Sequence, residues 1–440
     1  MKRLAALAGL LLCLLPAAVI AAEEGDIAPP GGYVAGPRSE AVSAGDVFGG
    51  RTGYVHPYLS VGQIYTSNFF NTPNNEEDEW ITVATPGIWA AFPALKQAPE
   101  RTATLNSAPG GMPLTRFRAD TGRRLQLYGG YSADFRRNDK FEDENETTQR
   151  GEAMIDVNLR GGLGLNLLAV HENTHDPYST GLNNLPQTDN YTAWTVNGIL
   201  EYELGAKTDI RLDAGTYLLN YDEARNAFRD RTDVKGGLML GYKVSPKLRV
   251  FAQYELVDVS YDAAVQDDSQ EHHYFGGFNW QLTAKSRGLV KAGYGQKKFD
   301  TRSGDDKDEF IGEVQLSHQF SPKSSLSLAL TRQTNESDIA GTDDRISDLV
   351  SLGYVWQMTG KTSLKLDASW LRDNYNDAIT VGSQTEERQD DYWRAGIGLG
   401  WNALRWLNVS LGYAFEQRDS NFDSFDYDNH TSFLNLTAVM

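Results

Sequence analysis

The chain has 440 residues, with 41 Lys and Arg against 59 Asp and Glu, a formal charge of −18, 11% aromatics, 42 glycines and one cysteine. A mean hydropathy of −0.46 excludes a helical membrane protein, and 40% hydrophobic residues exclude wholesale disorder. The acidic balance argues against a nucleic-acid partner, whose phosphates it repels. Soluble β proteins and membrane β-barrels both fit what remains.

Lys2 and Arg3 precede an apolar run from Leu4 to Ile20 that closes on the small pair Ala21-Ala22. This pattern predicts a secretory signal peptide over 1–22. Cys13 lies inside it, behind Leu12 rather than the small residue of a lipoprotein signal, so the mature chain is expected to lack cysteine and lipid. Disulfides and thiolate metal sites are thereby excluded. Residues 23–50, with Pro29-Pro30-Gly31-Gly32, have no periodicity and read as a flexible periplasmic segment.

From there a barrel is expected over 51–440. Leu248, Val250, Ala252, Tyr254 and Leu256 alternate with Arg249, Phe251, Gln253 and Glu255, and Leu407, Val409, Leu411, Tyr413 and Phe415 alternate with Asn408, Ser410, Gly412, Ala414 and Glu416. Period two marks strands with one apolar and one polar face. Such runs fall at 54–68, 79–92, 123–136, 152–160, 163–174, 190–204, 208–221, 232–244 and 248–261. They continue at 272–284, 288–299, 309–320, 324–335, 347–358, 362–375, 391–402, 406–417 and 430–440. The total is 18.

The connections alternate in length. Gly161-Gly162, Ser245-Pro246-Lys247, Ser321-Pro322-Lys323 and Thr359-Gly360-Lys361 are among the short turns, which are mostly basic. Between them lie long loops: 69–78, 138–150, 175–189, 222–231, 262–271, 300–308, 336–346, 376–390 and 418–429. With their flanks these are more acidic than the chain as a whole. Long strands joined this way point to an all-β, up-and-down antiparallel outer-membrane barrel with periplasmic turns and extracellular loops. The nine tryptophans, Trp80, Trp89, Trp194, Trp280, Trp356, Trp370, Trp393, Trp401 and Trp406, fall near strand ends, as an aromatic girdle requires.

With apolar faces toward lipid, the lumen wall is expected to carry Arg124, Arg136, Arg160, Glu201, Arg211, Asp213, Arg249, Glu255, Lys291, Glu313, Lys365, Asp367 and Arg394. Signs are mixed, so pairing across strands is expected, with Glu201 opposite Arg211 if their hairpin centres on Ala206. Eighteen strands leave an aqueous lumen rather than a filled core. Residues 94–122 break the turn rule on the periplasmic side, and read either as a loose insertion or as a constriction folded inward.

Catalytic and cofactor signatures are missing: there is no nucleophile elbow, phosphate loop or zinc helix motif. Gly396-Ile397-Gly398-Leu399-Gly400 lies mid-strand, where glycines relieve crowding on the wall. His272 and His273 point to opposite faces and read as a surface pair. Asp419, Asp423, Asp426 and Asp428 match no calcium-loop spacing and read as a solvated loop. No enzyme activity, cofactor or metal is expected.

His56-Pro57-Tyr58-Leu59-Ser60-Val61-Gly62-Gln63-Ile64-Tyr65, leading to Asn68-Phe69-Phe70, resembles the opening strand of the bacterial β-barrel porin family designated type 2. Thr85-Pro86-Gly87-Ile88 resembles its second strand, and the Ser-Pro-Lys turns at 245–247 and 321–323 are similar to its turns. The resemblance spans nearly all of the mature chain. It implies an outer-membrane exit channel for exopolysaccharide, partnered by lipid, lipopolysaccharide and periplasmic export components. A passive porin for small solutes and a sheath for a partner protein are the alternatives.

Overall fold

The computed structural model describes residues 54–95, 100–107, 113–118, 124–182, 187–283, 285–301 and 306–439. The signal peptide, the segment 23–50 and parts of 94–122 lie outside them. Among the described residues there are twenty strands: β1 (Val55–Thr66), β2 (Glu79–Phe92), β3 (Glu100–Ser107), β4 (Pro113–Arg118), β5 (Leu125–Asn138), β6 (Glu146–Leu159) and β7 (Leu163–His175). They continue as β8 (Asn190–Glu203), β9 (Thr208–Tyr221), β10 (Arg231–Ser245), β11 (Leu248–Tyr261), β12 (Ser269–Thr283), β13 (Ser286–Phe299) and β14 (Lys307–Ser321). The last are β15 (Ser324–Glu336), β16 (Asp344–Gln357), β17 (Thr362–Val381), β18 (Gln384–Asn402), β19 (Leu407–Ser420) and β20 (Tyr427–Val439).

Strands β3 and β4 pair only with each other, Glu100 opposite Arg118. The other 18 form one antiparallel sheet in chain order, and β20 pairs back onto β1 from Tyr58↔Val439 to Thr66↔Thr431. The ring is therefore closed and leaves no sheet edge, the condition for a sheet to lie in hydrocarbon.

Alternation sets the two faces. On β11, Val250 and Ala252 are exposed on the outside while Phe251, Gln253 and Glu255 are buried inside. On β19, Leu411 is 54% exposed and its neighbour Gly412 is buried. Leu59, Val61, Ile88, Leu212, Leu238, Phe278, Leu352, Ile397 and Leu436 are likewise outward and exposed. Water alone would not tolerate an apolar surface of this extent, and lipid requires it. Trp80, Trp194, Trp356, Trp393, Trp401 and Trp406 join that belt. Trp89 does not: it faces inward, 5% exposed, with His56 stacked on it at 3.7 Å.

Inside, glycines let large side chains lie flat against the wall. A Cβ at Gly87 would overlap the Tyr58 ring of the facing strand, and one at Gly396 would sit 2.7 Å from the Asp367 carboxylate. The mid-strand glycine run of β18 thus relieves crowding, as its position predicts.

Two loops are shorter than the sequence pattern indicates. Residues 376–390 are mostly strand, because β17 and β18 run on to Val381 and from Gln384 and turn at Gly382-Ser383. A β-bulge separates Asn374 from Ala378 within this hairpin. Its stem lies past the rim, where both faces are largely polar and the amphipathic signature is lost. Strand β6 likewise begins at Glu146, inside the stretch 138–150.

Candidate functional site

The wall charges form a connected network. Glu201 does face Arg211 across the β8–β9 hairpin. Arg211 Nε lies 3.7 Å from Asp213 Oδ2, and Lys235 Nζ lies 3.6 Å from Asp213 and 3.3 Å from Glu255. His273 then spans Glu255 (3.7 Å) and Glu271 (3.1 Å), and Lys297 pairs with Glu271 at 3.0 Å and with Glu336. One chain of alternating charge therefore runs from β9 to β15. His273 is an element of this wall, 3% exposed, and not part of a surface pair. His272 does point outward, where its ring hydrogen-bonds the Tyr254 hydroxyl at 2.8 Å.

Further pairs lie elsewhere on the wall. Lys291 lies 3.6 Å from Glu313, Arg136 lies 3.1 Å from Glu146, Arg249 Nε donates to Asp209 at 2.9 Å, and Arg394 bridges Glu416 (2.9 Å) and Asp367 (3.2 Å). Lys365 sits half-buried on β17, opposite Gly398. Two residues assigned to the wall from sequence are not on it. Arg160 is exposed in the turn with Gly161 and Gly162, and Arg124 is exposed ahead of β5. Both sit where strand alternation has already ended.

Burial varies with depth. Lys235 and Glu255 side chains are 0% exposed, whereas toward the short-turn end Glu203 and Asp367 reach 57% and 47%. At the short-turn end exposure differs around the wall, since Gln126 and Trp89 are buried there, and the long-loop end is covered.

The cover centres on the β7–β8 connection, described over 176–182 and 187–189. Its base is anchored where Asp176 Oδ2 accepts from Tyr221 (2.9 Å) and Arg229 (2.6 Å). Tyr178 packs on Phe69 and Phe70, with ring centroids 5.0 and 5.1 Å away, and donates its hydroxyl to Glu144 at 3.0 Å. The next residues reach the far side of the ring. Ser179 accepts from Arg418 on β19, and the Gly181 carbonyl accepts from Arg388 on β18 at 2.6 Å. Gly181 has φ 62° and no room for a Cβ against the Asp338 carbonyl, so only glycine fits there.

Residues 337–343 support this crossing loop. Gln266 donates to the Thr342 and Ile339 carbonyls at 2.6 and 3.2 Å, and Ile339 packs with Tyr375, Ile379, Phe422 and Phe425. Asp338 accepts from Arg345 and Tyr375, each at 2.7 Å. Burial pushes its carboxyl up, but the Arg345 and Arg229 guanidiniums outweigh this and hold it below the usual carboxylate range.

The sequence gives no sign of Arg388 and Arg418 as functional residues, since both fall at the edges of acidic loops. The only local hint of the crossing loop is Tyr178-Ser179-Thr180-Gly181, an uncharged tip among acidic connections. On the short-turn side, Leu95 packs against the lumen-facing cluster of Trp89, Tyr128 and Met154, and Gln126 donates to the Pro93 carbonyl at 2.8 Å. Among the described residues no group of three or more His, Cys, Asp or Glu is placed to hold a metal. Asp426 instead accepts the Ser420 backbone N–H at 2.7 Å.

A family model described as "Putative beta-barrel porin 2" matches residues 123–439. The chain belongs to this porin family. It is an outer-membrane β-barrel of the porin type. No curated protein matches it. Solved structures similar to it include Acinetobacter baumannii OccAB4, 11% identical, covering 89% of this chain and 99% of that one with a TM-score of 0.43. Pseudomonas aeruginosa OprD is 8% identical over 91% and 98% of the two chains, TM-score 0.43. Pseudomonas aeruginosa OccK2 is 10% identical over 88% and 100%, TM-score 0.44.

Proposed function

We propose that this porin is the outer-membrane exit channel of an exopolysaccharide, with lipid and lipopolysaccharide around its outer belt and export components at its periplasmic end. The observation that carries the reading is the crossing loop. A diffusion porin for small solutes works through a standing aperture, whereas here Ser179 and Gly181 tie the cover to the opposite wall. A covered outer mouth suits a conduit that opens when its own cargo arrives. The wall beneath pairs its cations with carboxylates and interleaves rings such as Tyr58, Trp89 and Tyr128. Such a surface can hydrogen-bond and stack on a hydroxylated chain without holding it by net charge.

Deleting the gene tests this. Extracellular polysaccharide should be lost while small-solute uptake across the outer membrane is unchanged. Normal polysaccharide with impaired uptake would favour the diffusion porin instead.

A further inference from the structure

Two arginines on adjacent strands hold the crossing loop, and their surroundings differ. Arg388 forms a two-point pair with Asp390, at 2.9 Å through Nε and 2.7 Å through Nη2, and gives Nη1 to the Gly181 carbonyl. Arg418 has no carboxylate of the described residues within ion-pair distance. Its nitrogens donate to the Phe425 carbonyl at 2.5 Å, the Ser179 carbonyl at 2.8 Å and Ser179 Oγ at 2.6 Å. The Tyr427 ring lies 4.9 Å from the guanidinium carbon, and those of Tyr392 and Phe425 lie 5.8 Å away. At 3% exposure, this cation is met directly by dipoles and ring faces, and the Asp390 carboxylate, paired with Arg388, acts on it from beyond ion-pair distance, an expensive arrangement for a buried charge.

Ser179 stands where a carboxylate would. Nη1 and Nη2 each take one oxygen from the same residue, the fork-to-fork pattern a guanidinium makes with a carboxylate. To present both oxygens, Ser179 adopts φ 65°, the left-handed region that a residue with a side chain rarely occupies.

We propose that Arg418 is the binding site for a carboxylate borne by the exported polymer, a uronate-type sugar, and that Ser179 is the placeholder this carboxylate displaces. The inference deepens the exit-channel reading and rests on it. A carboxylate adds a full negative charge and two-point geometry to what the neutral serine oxygens offer the guanidinium, so a carboxylate arriving from the short-turn side outcompetes the serine and frees the tip of the loop. The Tyr427, Tyr392 and Phe425 rings and the Phe425 carbonyl stay with the guanidinium as the loop leaves.

The test uses the full chain in planar bilayers, with trigalacturonate, neutral maltotriose or free galacturonate added on either side. Trigalacturonate on the short-turn side should raise the open probability about tenfold, the scale of a two-point charge pair replacing two uncharged acceptors, and maltotriose should leave it unchanged. Arg418→Lys keeps the charge but loses the fork, so the response should vanish while heat-shifted gel mobility shows a folded barrel. Ser179→Ala removes one placeholder oxygen while keeping a side chain in the left-handed region, and should raise basal opening.

An equal response in Arg418→Lys, or an equal response to maltotriose, would overturn the proposal. So would opening by free galacturonate from the loop side, which marks uptake of a small sugar acid. If gene deletion spares the polysaccharide while the Arg418-dependent response persists, the export reading fails and the carboxylate site stands. Loss of polysaccharide without any response to trigalacturonate removes the site and leaves export standing.

Discussion

Lys235 on β10 stands between Asp213 of one neighbouring strand and Glu255 of the other, its ammonium 3.6 and 3.3 Å from their carboxylates, with no exposed surface. Removing it leaves two like charges facing each other out of reach of water. Breaking a buried ion pair from one side costs about 3–5 kcal/mol. Lys235→Met should therefore lower the temperature at which the barrel loses its compact gel mobility by several degrees. An unchanged transition would mean that water reaches this belt freely.

Gly87 and Tyr58 form a second dependent pair. A side chain at 87 has no space while the Tyr58 ring lies flat over it, so Gly87→Val should destabilise by about 1–3 kcal/mol. Tyr58→Ala clears the space, and the double variant should recover most of the loss. Additive effects in a double-mutant cycle would contradict the close approach.

Leu411 and Ser410 are neighbours on opposite faces of β19. Leu411→Arg puts a cation into lipid at a cost of about 2 kcal/mol, depending on depth. Ser410→Arg points into the lumen and should be nearly neutral. Unfolding in lipid vesicles against urea measures both, and equal penalties would reverse the assignment of faces.

Asp338 links the cover to pH. Its carboxyl is held below the usual range by Arg345 and Arg229, so its contribution is fully present above the unfolded-state value near 4 and is lost only as pH falls through the lower folded value. The difference in opening between wild type and Asp338→Asn should hold constant from about pH 8 to pH 5 and shrink below about pH 4. A difference that disappears between pH 7 and pH 6 would place the control on another group.

Much of this architecture was legible in the residues because lipid imposes a strict rule. Strand β11 carries apolar groups at every second position from Leu248 to Leu256, and that alone set its bounds and faces. The Glu201–Arg211 register followed from a short turn. The cover was not legible, because its contacts join residues far apart in the chain: Ser179 meets Arg418 across 239 positions. Alternation also fails past the rim, which hid the outer half of the β17–β18 hairpin. It cannot distinguish His273, clamped by two glutamates, from an exposed histidine, nor Trp89, turned to the lumen, from a girdle tryptophan.

Single-channel recording in planar bilayers, comparing the intact chain with one in which residues 177–182 are replaced by a short Gly-Ser linker, bears most directly on the closed outer mouth. The intact chain should be silent or conduct only in rare events, and the variant should hold a steady large conductance. Equal, continuous conductance from both would show that the crossing loop closes nothing.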